Sequence, residues 1–277
     1  MFSSKMFLPS EKLKDWIKVF WFLEGRGKGT DFHTRNILPD GCATICIIFN
    51  GQIDLTIYKN GIIKKGIYVI PPVIKAHSDF ISNDISLVDI QLNPSVFYKL
   101  FNIPIINLED KIYTLQDLSI DIEDSLIERL YSLKDNKVLL CSLLNKFCED
   151  LFYKQSFKTD LVTENICQLY KTGDLDRFFK EQDLSARQLE RKVKHYTGLT
   201  PKNISRMGRF YSVLDYMKYR QFNIEFSELA FKYNFSDQSH FIRDFKSFTN
   251  STPKNFLQET KSFLQFDGIC NLVDIKK

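Results

Sequence analysis

The apolar positions change period once along the chain. From Arg35 to about Leu92 they come as short runs, ATICIIF, IDLTIY, IIKKGIYVI and SLVDIQL, punctuated by PDG at 39–41 and NG at 50–51 and 60–61. Such runs between Asp-Gly and Asn-Gly turns predict antiparallel strands, as an open sheet or a small barrel. Upstream, SEKLKDWIKVFWFLEG predicts a helix capped by Ser10 that leads into an aromatic strand. From PSVFYKLF onward the spacing turns helical, and IEDSLIERLYSL and KVLLCSLLNKFCEDLFYK predict two amphipathic helices joined by KDN. The polar stretch KQSFKTD at 154–160 predicts a linker. Beyond it every segment predicts helix, broken at TGD (172–174), QDLS (182–185), TGLTP (197–201), FN (222–223), NFSD (234–237) and NSTP (250–253). Helices joined by turns this short predict a compact bundle. The expected fold class is therefore α+β: a small β-rich domain with helices over 1–155, an all-α domain over 156–262, and a tail over 263–277.

The helical half repeats itself. RKVKHYTGLTPKN (191–203) aligns with RDFKSFTNSTPKN (243–255) at an offset of 52 residues. Two copies are too few for a solenoid and the right size for two tri-helical units. Each copy reads as helix, tight turn, helix. In the second, FSELAFKY is followed by the turn residue Asn234, the plug Phe235, and a helix capped by Ser236 or Asp237. On that helix Phe241, Phe245 and Phe248 share the inward face, and Gln238, Ser239, Ile242 and Arg243 share the outward one. In the first copy, with Ser185 as cap, Leu189, Val193 and Tyr196 face inward while Arg187, Glu190, Arg191 and Lys194 face outward. An exposed helix face offering Arg and Gln suits the major groove, where each makes two hydrogen bonds to a base edge. The segment 201–220 between the copies would make a helix of about 30 Å. That is close to the roughly 34 Å between successive major-groove faces.

Charge sharpens this picture only when divided. The 277 residues carry a formal charge of +4. Residues 1–157 hold 18 basic and 19 acidic groups, residues 158–262 hold 18 and 13, and the last fifteen hold two of each. Positions 185–209 carry seven basic residues and one acid, Glu190. Charge alone reads equally well as a nucleic-acid footprint or as a solvated helix face. The composition, 44% apolar and 26% charged, excludes a disordered or collagen-like chain.

The segment FSELAFKYNFSDQSHFIRDFKSFTNSTPKNF resembles the second helix-turn-helix of the AraC/XylS family of bacterial transcriptional regulators. SARQLERKVKHYTGLTPKNISRMGRF resembles the first such unit and the linker of the same family. The likeness covers about 100 residues, roughly 160–260. It implies a DNA-binding domain of two helix-turn-helix units joined by a long helix. By family position the base readers would be Arg187, Glu190 and Arg191, then Gln238, Ser239, Ile242 and Arg243, with Lys194 and Lys246 on backbone phosphate. Asn234 and Asn250 stand where the family has Gly, and Asn is the next most tolerant residue of left-handed backbone. Phe179 and Asp183 stand where a small residue and Gly are usual. NILPDGCATICIIFNG and DIQLNPSVFYKLFNIP resemble a cupin-like sensory domain of these regulators, which implies a sensing or dimerising role. The implied partners are double-stranded DNA, a small-molecule effector, RNA polymerase and a second copy of the chain.

Other chemistries are poorly supported. There is no G-x-S-x-G, Walker A or H-E-x-x-H motif, so no enzyme and no cofactor is expected. A repair-type enzyme would need an activated cysteine, and nothing in the sequence near Cys167 would activate it. His33 and His77 are too few to form a cupin metal site. Asp40 in PDG reads as an Asx turn before a ligand contact. The six cysteines show no zinc spacing and read as reduced, with Cys42 and Cys46 on one side of a strand. No apolar run is long enough to span a bilayer, and the N-terminus lacks a signal-peptide core, so a cytoplasmic location is expected. The apolar spacing at 139–151 fits core packing or a dimer seam over the helices of 121–153. The rival to a transcription factor is a ligand-binding or scaffold protein whose helical domain contacts protein.

Overall fold

The computed structural model describes residues 2–28, 31–108, 110–154, 160–219 and 225–259. Among the described residues nine strands come first and a tenth follows the first helix: β1 (Phe2–Phe7), β2 (Ile17–Gly25), β3 (Phe32–Ile37), β4 (Ala43–Asn50), β5 (Ile53–Asp54), β6 (Ile62–Ile63), β7 (Gly66–Ile70), β8 (His77–Ser82), β9 (Ile85–Leu92) and β10 (Tyr113–Thr114). They pair antiparallel in two sheets, one ordered β1-β2-β9-β4-β7-β10 and the other β3-β8-β5-β6. The large sheet is covered on both faces, which is why its central strands read as near-continuous apolar runs. Side chains alternate as the pleat demands. Phe20, Phe22, Ile45, Ile47, Val88 and Ile90 meet the helices, while Leu23, Cys46, Ile48 and Leu87 meet Ile53, Ile63 and Ile81 of the small sheet.

Helices α1 (Val96–Phe101), α2 (Asp124–Ser132) and α3 (Lys137–Lys154) complete this β-rich half. Leu140, Leu143 and Leu144 of α3 are buried in the same core as the sheet, so core packing accounts for their spacing. The helical half follows as α4 (Leu161–Thr172), α5 (Leu175–Lys180), α6 (Ala186–Thr197), α7 (Pro201–Tyr219), α8 (Phe226–Lys232), α9 (Gln238–Thr249) and α10 (Pro253–Glu259). Most of the expected linker, the break at 222–223 and the tail lie outside the described residues.

Three expectations are corrected. The segment after Ser10 forms consecutive turns instead of a helix, because only six residues separate it from β2. β1 adds a strand to the edge of the large sheet beside β2. IDLTIY contributes only the two residues of β5 before turning. Cys42 and Cys46 do not share a side: Cys46 lies between the sheets, and Cys42 belongs to the core of the helical half. The five cysteines among the described residues are free.

That last displacement shows how the halves meet. Leu38 and Cys42, flanking the PDG turn, are buried within the helical core. The Asx turn forms, with Cys42 N–H donating to Asp40 Oδ1 at 3.0 Å. Gly41 has φ +68, and a Cβ there would come within 2.7 Å of Met207 Sδ on α7. Lys18 Nζ donates to Tyr170 Oη at 3.0 Å, stands 3.9 Å from the centre of the Tyr211 ring and lies 3.9 Å from Asp40. Gly208 serves a second close approach, because any side chain there would strike the Tyr170 carbonyl of α4.

Candidate nucleic-acid interface

The two copies of the sequence repeat fold as two matching units around α7. In each, a 12-residue helix, α6 or α9, follows a short helix and a tight turn. Ser185 caps α6 through a capping box with Gln188, and Asp237 caps α9 by accepting from His240 N–H at 2.7 Å. Hydrogen bonds from backbone N–H groups hold the Asp237 carboxyl below its usual range. Both helices end in left-handed residues, Gly198 (φ +72) and Asn250 (φ +57), and Asn234 (φ +56) makes the second tight turn. At the last residue of each helix a threonine repeats its role. Thr197 Oγ1 donates to Val193 O and accepts from Leu199 N–H, and Thr249 Oγ1 does the same with Phe245 O and Ser251 N–H.

The inward faces build one aromatic core. Leu189, Val193 and Tyr196 of α6 and Phe241, Phe245 and Phe248 of α9 are buried with Phe210 of α7 and Phe256 of α10. Phe235 is buried as the plug of the second turn, and Phe179 packs against this core beside Phe178. Outside, Arg187, Glu190, Arg191 and Lys194 are exposed on α6, and Gln238, Ser239, Arg243 and Lys246 on α9. Ile242 departs from the expected outward face: it is half-buried and packed against the aromatic core. Its position between the two faces of a helix with a period of 3.6 explains this. Among the described residues Glu190 and Lys194 make no ion pair, and the Arg243 guanidinium reaches back to Ser239 O at 3.3 Å. Linker helix α7 has 19 residues, hence about 28 Å of axis.

Several residues that fix these helices escaped the sequence reading. Arg206 of α7 grips Asp244 of α9 with Nε at 3.1 and 3.2 Å and Nη2 at 2.9 Å, and Nη2 also donates to Ser247 at 2.8 Å. Asp244 is the sole acid on α9, which is the signal that could have marked it. In the first unit, Tyr196 Oη and Lys192 Nζ both donate to Asp160 Oδ2, at 2.7 and 2.9 Å. Burial works against ionisation of Asp160, and these hydrogen bonds prevail and hold its pKa down. Tyr98 of the β-rich half stacks on Tyr196 with ring centres 4.3 Å apart.

The β-rich half contains a second polar cluster. Arg35 Nη2 donates to Asp79 Oδ2 at 3.0 Å, and His77 Nε2 lies 3.2 Å from Asp79 Oδ1. A cavity of about 60 Å³ adjoins them, and Trp21 Nε1, Arg35 Nε and Nη1, and Asp89 Oδ1 are buried there without a protein partner. Burial pushes the Asp89 carboxyl up to about 6, although Arg35 opposes the shift. A larger cleft of about 380 Å³ lies between the halves, walled by Lys18, Asp40 and Gln91 on one side and Tyr170, Gly208 and Tyr211 on the other. Among the described residues no group of three or more His, Cys, Asp and Glu is placed to hold a metal ion, and no helix is long and apolar enough to cross a membrane. Burial raises the Cys167 thiol, the reverse of what a nucleophile needs.

Comparison with known proteins gives an independent view. Residues 180–259 match the model of a helix-turn-helix domain, and residues 5–114 match a domain of unknown function (DUF6597). Over 90 residues the chain is 29% identical to the HTH-type transcriptional activator RhaS of Escherichia coli (strain SE11), covering 32% of each protein. The match thus spans about a third of that relative's length. Among solved structures, ToxT from Vibrio cholerae is 18% identical, with 86% of this chain and 97% of that one covered at a TM-score of 0.44. The AraC-like transcriptional activator CuxR is 9% identical, with 97% and 91% covered at a TM-score of 0.34.

Proposed function

We propose that this chain, whose C-terminal segment is a helix-turn-helix domain of the AraC type, is a sequence-specific DNA-binding regulator of transcription. The observation that carries the reading is the pair of matched, capped helices that precede and follow α7 in the chain, each with a charged or amide-bearing face left in solvent. Arg187, Glu190 and Arg191 would address bases in one major-groove segment, and Gln238, Ser239 and Arg243 those in the next. Arg is suited to guanine, Gln to adenine, and Glu to the cytosine amino group. Ile242, half-buried, would offer at most an apolar edge to a thymine methyl group. Lys194 and Lys246 would hold phosphates and carry no sequence information.

A small-molecule effector is part of the proposal. It is supported by the unpartnered polar atoms around the cavity inside the β-rich half and by the cleft that this half shares with α7. A ligand in the cleft would bear on α7 through Gly208 and Tyr211. A homodimer seam on α3 would have chiefly Val138 and Leu139 to offer, since the rest of its apolar face lies on the sheet.

Selection from a randomised duplex pool with the full chain at low salt tests the reading. Enrichment of a sequence with two conserved blocks is the expected outcome, with affinity falling steeply as salt rises because several phosphates are contacted. An unenriched pool would refute it and favour a protein partner for the helical half.

A further inference from the structure

The internal repeat marks a surface as well as a fold. A cleft of about 410 Å³ lies between the β-rich half and the second unit, with Asn36, His77 and Ser78 on one wall and Lys246, Ser251 and Asn255 on the other. Stepping back 52 residues from the helical wall gives Lys194, Leu199 and Asn203, and these line a second cleft, of about 680 Å³, against Lys75 and His77. Equivalent surfaces of the two units therefore face one segment of the β-rich half, the stretch 71–78. The cleft of about 680 Å³ also takes in Asp110. No carboxylate among the described residues lines the cleft of about 410 Å³.

The chemistry of that acid-free cleft is one-sided. Lys246 has no ion-pair partner among the described residues. Asn36 Oδ1 accepts from Ser78 Oγ at 2.8 Å, which leaves the Asn36 amide NH₂ as the donor of that wall. Asn255 and Ser251 add an amide and a hydroxyl opposite. His77 turns its Nε2 to Asp79, 3.2 Å from Oδ1. One ammonium surrounded by neutral donors, with no competing acid, suits a group that is anionic and rich in acceptor oxygens.

We propose that this cleft is a phosphate-binding site shared by the β-rich half and the second helix-turn-helix unit, with Asn36 facing Lys246, Ser251 and Asn255. Its phosphate comes from the DNA backbone if the proposed function holds, and to that extent the inference rests on that reading. A free phosphate or a phosphorylated small molecule presents the same chemistry. In the DNA case the β-rich half is part of the DNA interface itself, beyond any sensory role.

The test uses the full chain and Asn36→Asp, which replaces the donor wall by a carboxylate of the same size. Thr34→Asp, on an exposed position of the same strand outside the cleft, is the control for added charge. On the selected duplex, the slope of log K against log salt should shrink by about 0.9 in N36D, because the new carboxylate neutralises the Lys246 ammonium across the cleft, and stay at the wild-type value in T34D. Separately, inorganic phosphate at fixed ionic strength should raise the melting temperature of wild type and T34D more than that of N36D. A changed slope supports the backbone as the source. An unchanged slope with a lost phosphate response supports the site and assigns it a free phosphate. N36D matching wild type in both measurements overturns the site. If wild type binds no duplex at all, the proposed function fails on its own, and the phosphate response still decides this cleft.

Discussion

The two helix-turn-helix units share a sequence pattern and differ in what holds them. The second is internally braced. Its reader helix α9 is clamped to α7 by the Arg206–Asp244 pair and sealed by Phe241, Phe245 and Phe248 against Phe210 and Phe256. The first leans outward. Its reader helix α6 is tied to Asp160 at the start of α4, and its last turn stacks on Tyr98 of the β-rich half. The residue 52 positions from Asp244 is Lys192, so the repeat exchanged an acid that faces α7 for a base that faces Asp160. One reader is thus positioned by its own domain, the other partly by its neighbour. Events in the β-rich half should reach the first reader before the second.

Substitutions can break this contrast or sharpen it. The largest effect is expected from Phe245→Ala, a wholly buried ring at the centre of the second unit, at about 3–5 kcal/mol of stability. Denaturant unfolding measures it, and a loss below 1 kcal/mol would mean the aromatic core is not the brace described.

The β-rich half responds to pH through Asp89. Its carboxyl, at about 6 when folded against roughly 3.9 when unfolded, binds more protons in the native state between those values. Stability therefore falls as pH rises from about 4 to about 6, and the cost is complete above that. Asp89→Asn should exceed wild type by about 2–3 kcal/mol at pH 7.5 and match it near pH 4. A gain of equal size at both pH values would exclude ionisation as its cause.

Arg243→Ala should lose about 1–3 kcal/mol of specific binding and relax one base position, as should Arg187→Ala in the other block. Competition with single-base variants of the selected duplex separates this from a uniform loss, which would remove the base-reading role. A smaller effect is expected from the coupling within Arg206–Asp244, about 1–2 kcal/mol in a double-mutant cycle on stability. The equivalent cycle on Lys192–Asp160, a more exposed pair, should give less than about 1 kcal/mol. Equal couplings would erase the difference in bracing.

Local rules made the helical half legible. The caps Ser185 and Asp237, the left-handed Asn234 and Asn250 and the inward Phe241, Phe245 and Phe248 follow from side-chain chemistry and a period of 3.6. Ile242 sits at the border of two faces, where period alone does not decide. The β-rich half yielded its central strands, whose apolar runs are long, and concealed β1, β3 and β8, whose FSSKMF, FHTRNI and HSDFIS mix polar and apolar residues. Contacts between distant segments left no local trace. Cys42 in the helical core, Lys18 between Tyr170 and Tyr211, and the stretch 71–78 against both units depend on tertiary packing that no short window contains.

The most direct test of the account is a hydroxyl-radical footprint of the full chain on its selected duplex. Two protected patches on one face of the DNA, about 10 base pairs apart, are the expected result for readers spaced by α7. A single patch, or none at concentrations that shift the duplex, would contradict the claim that both units read DNA together.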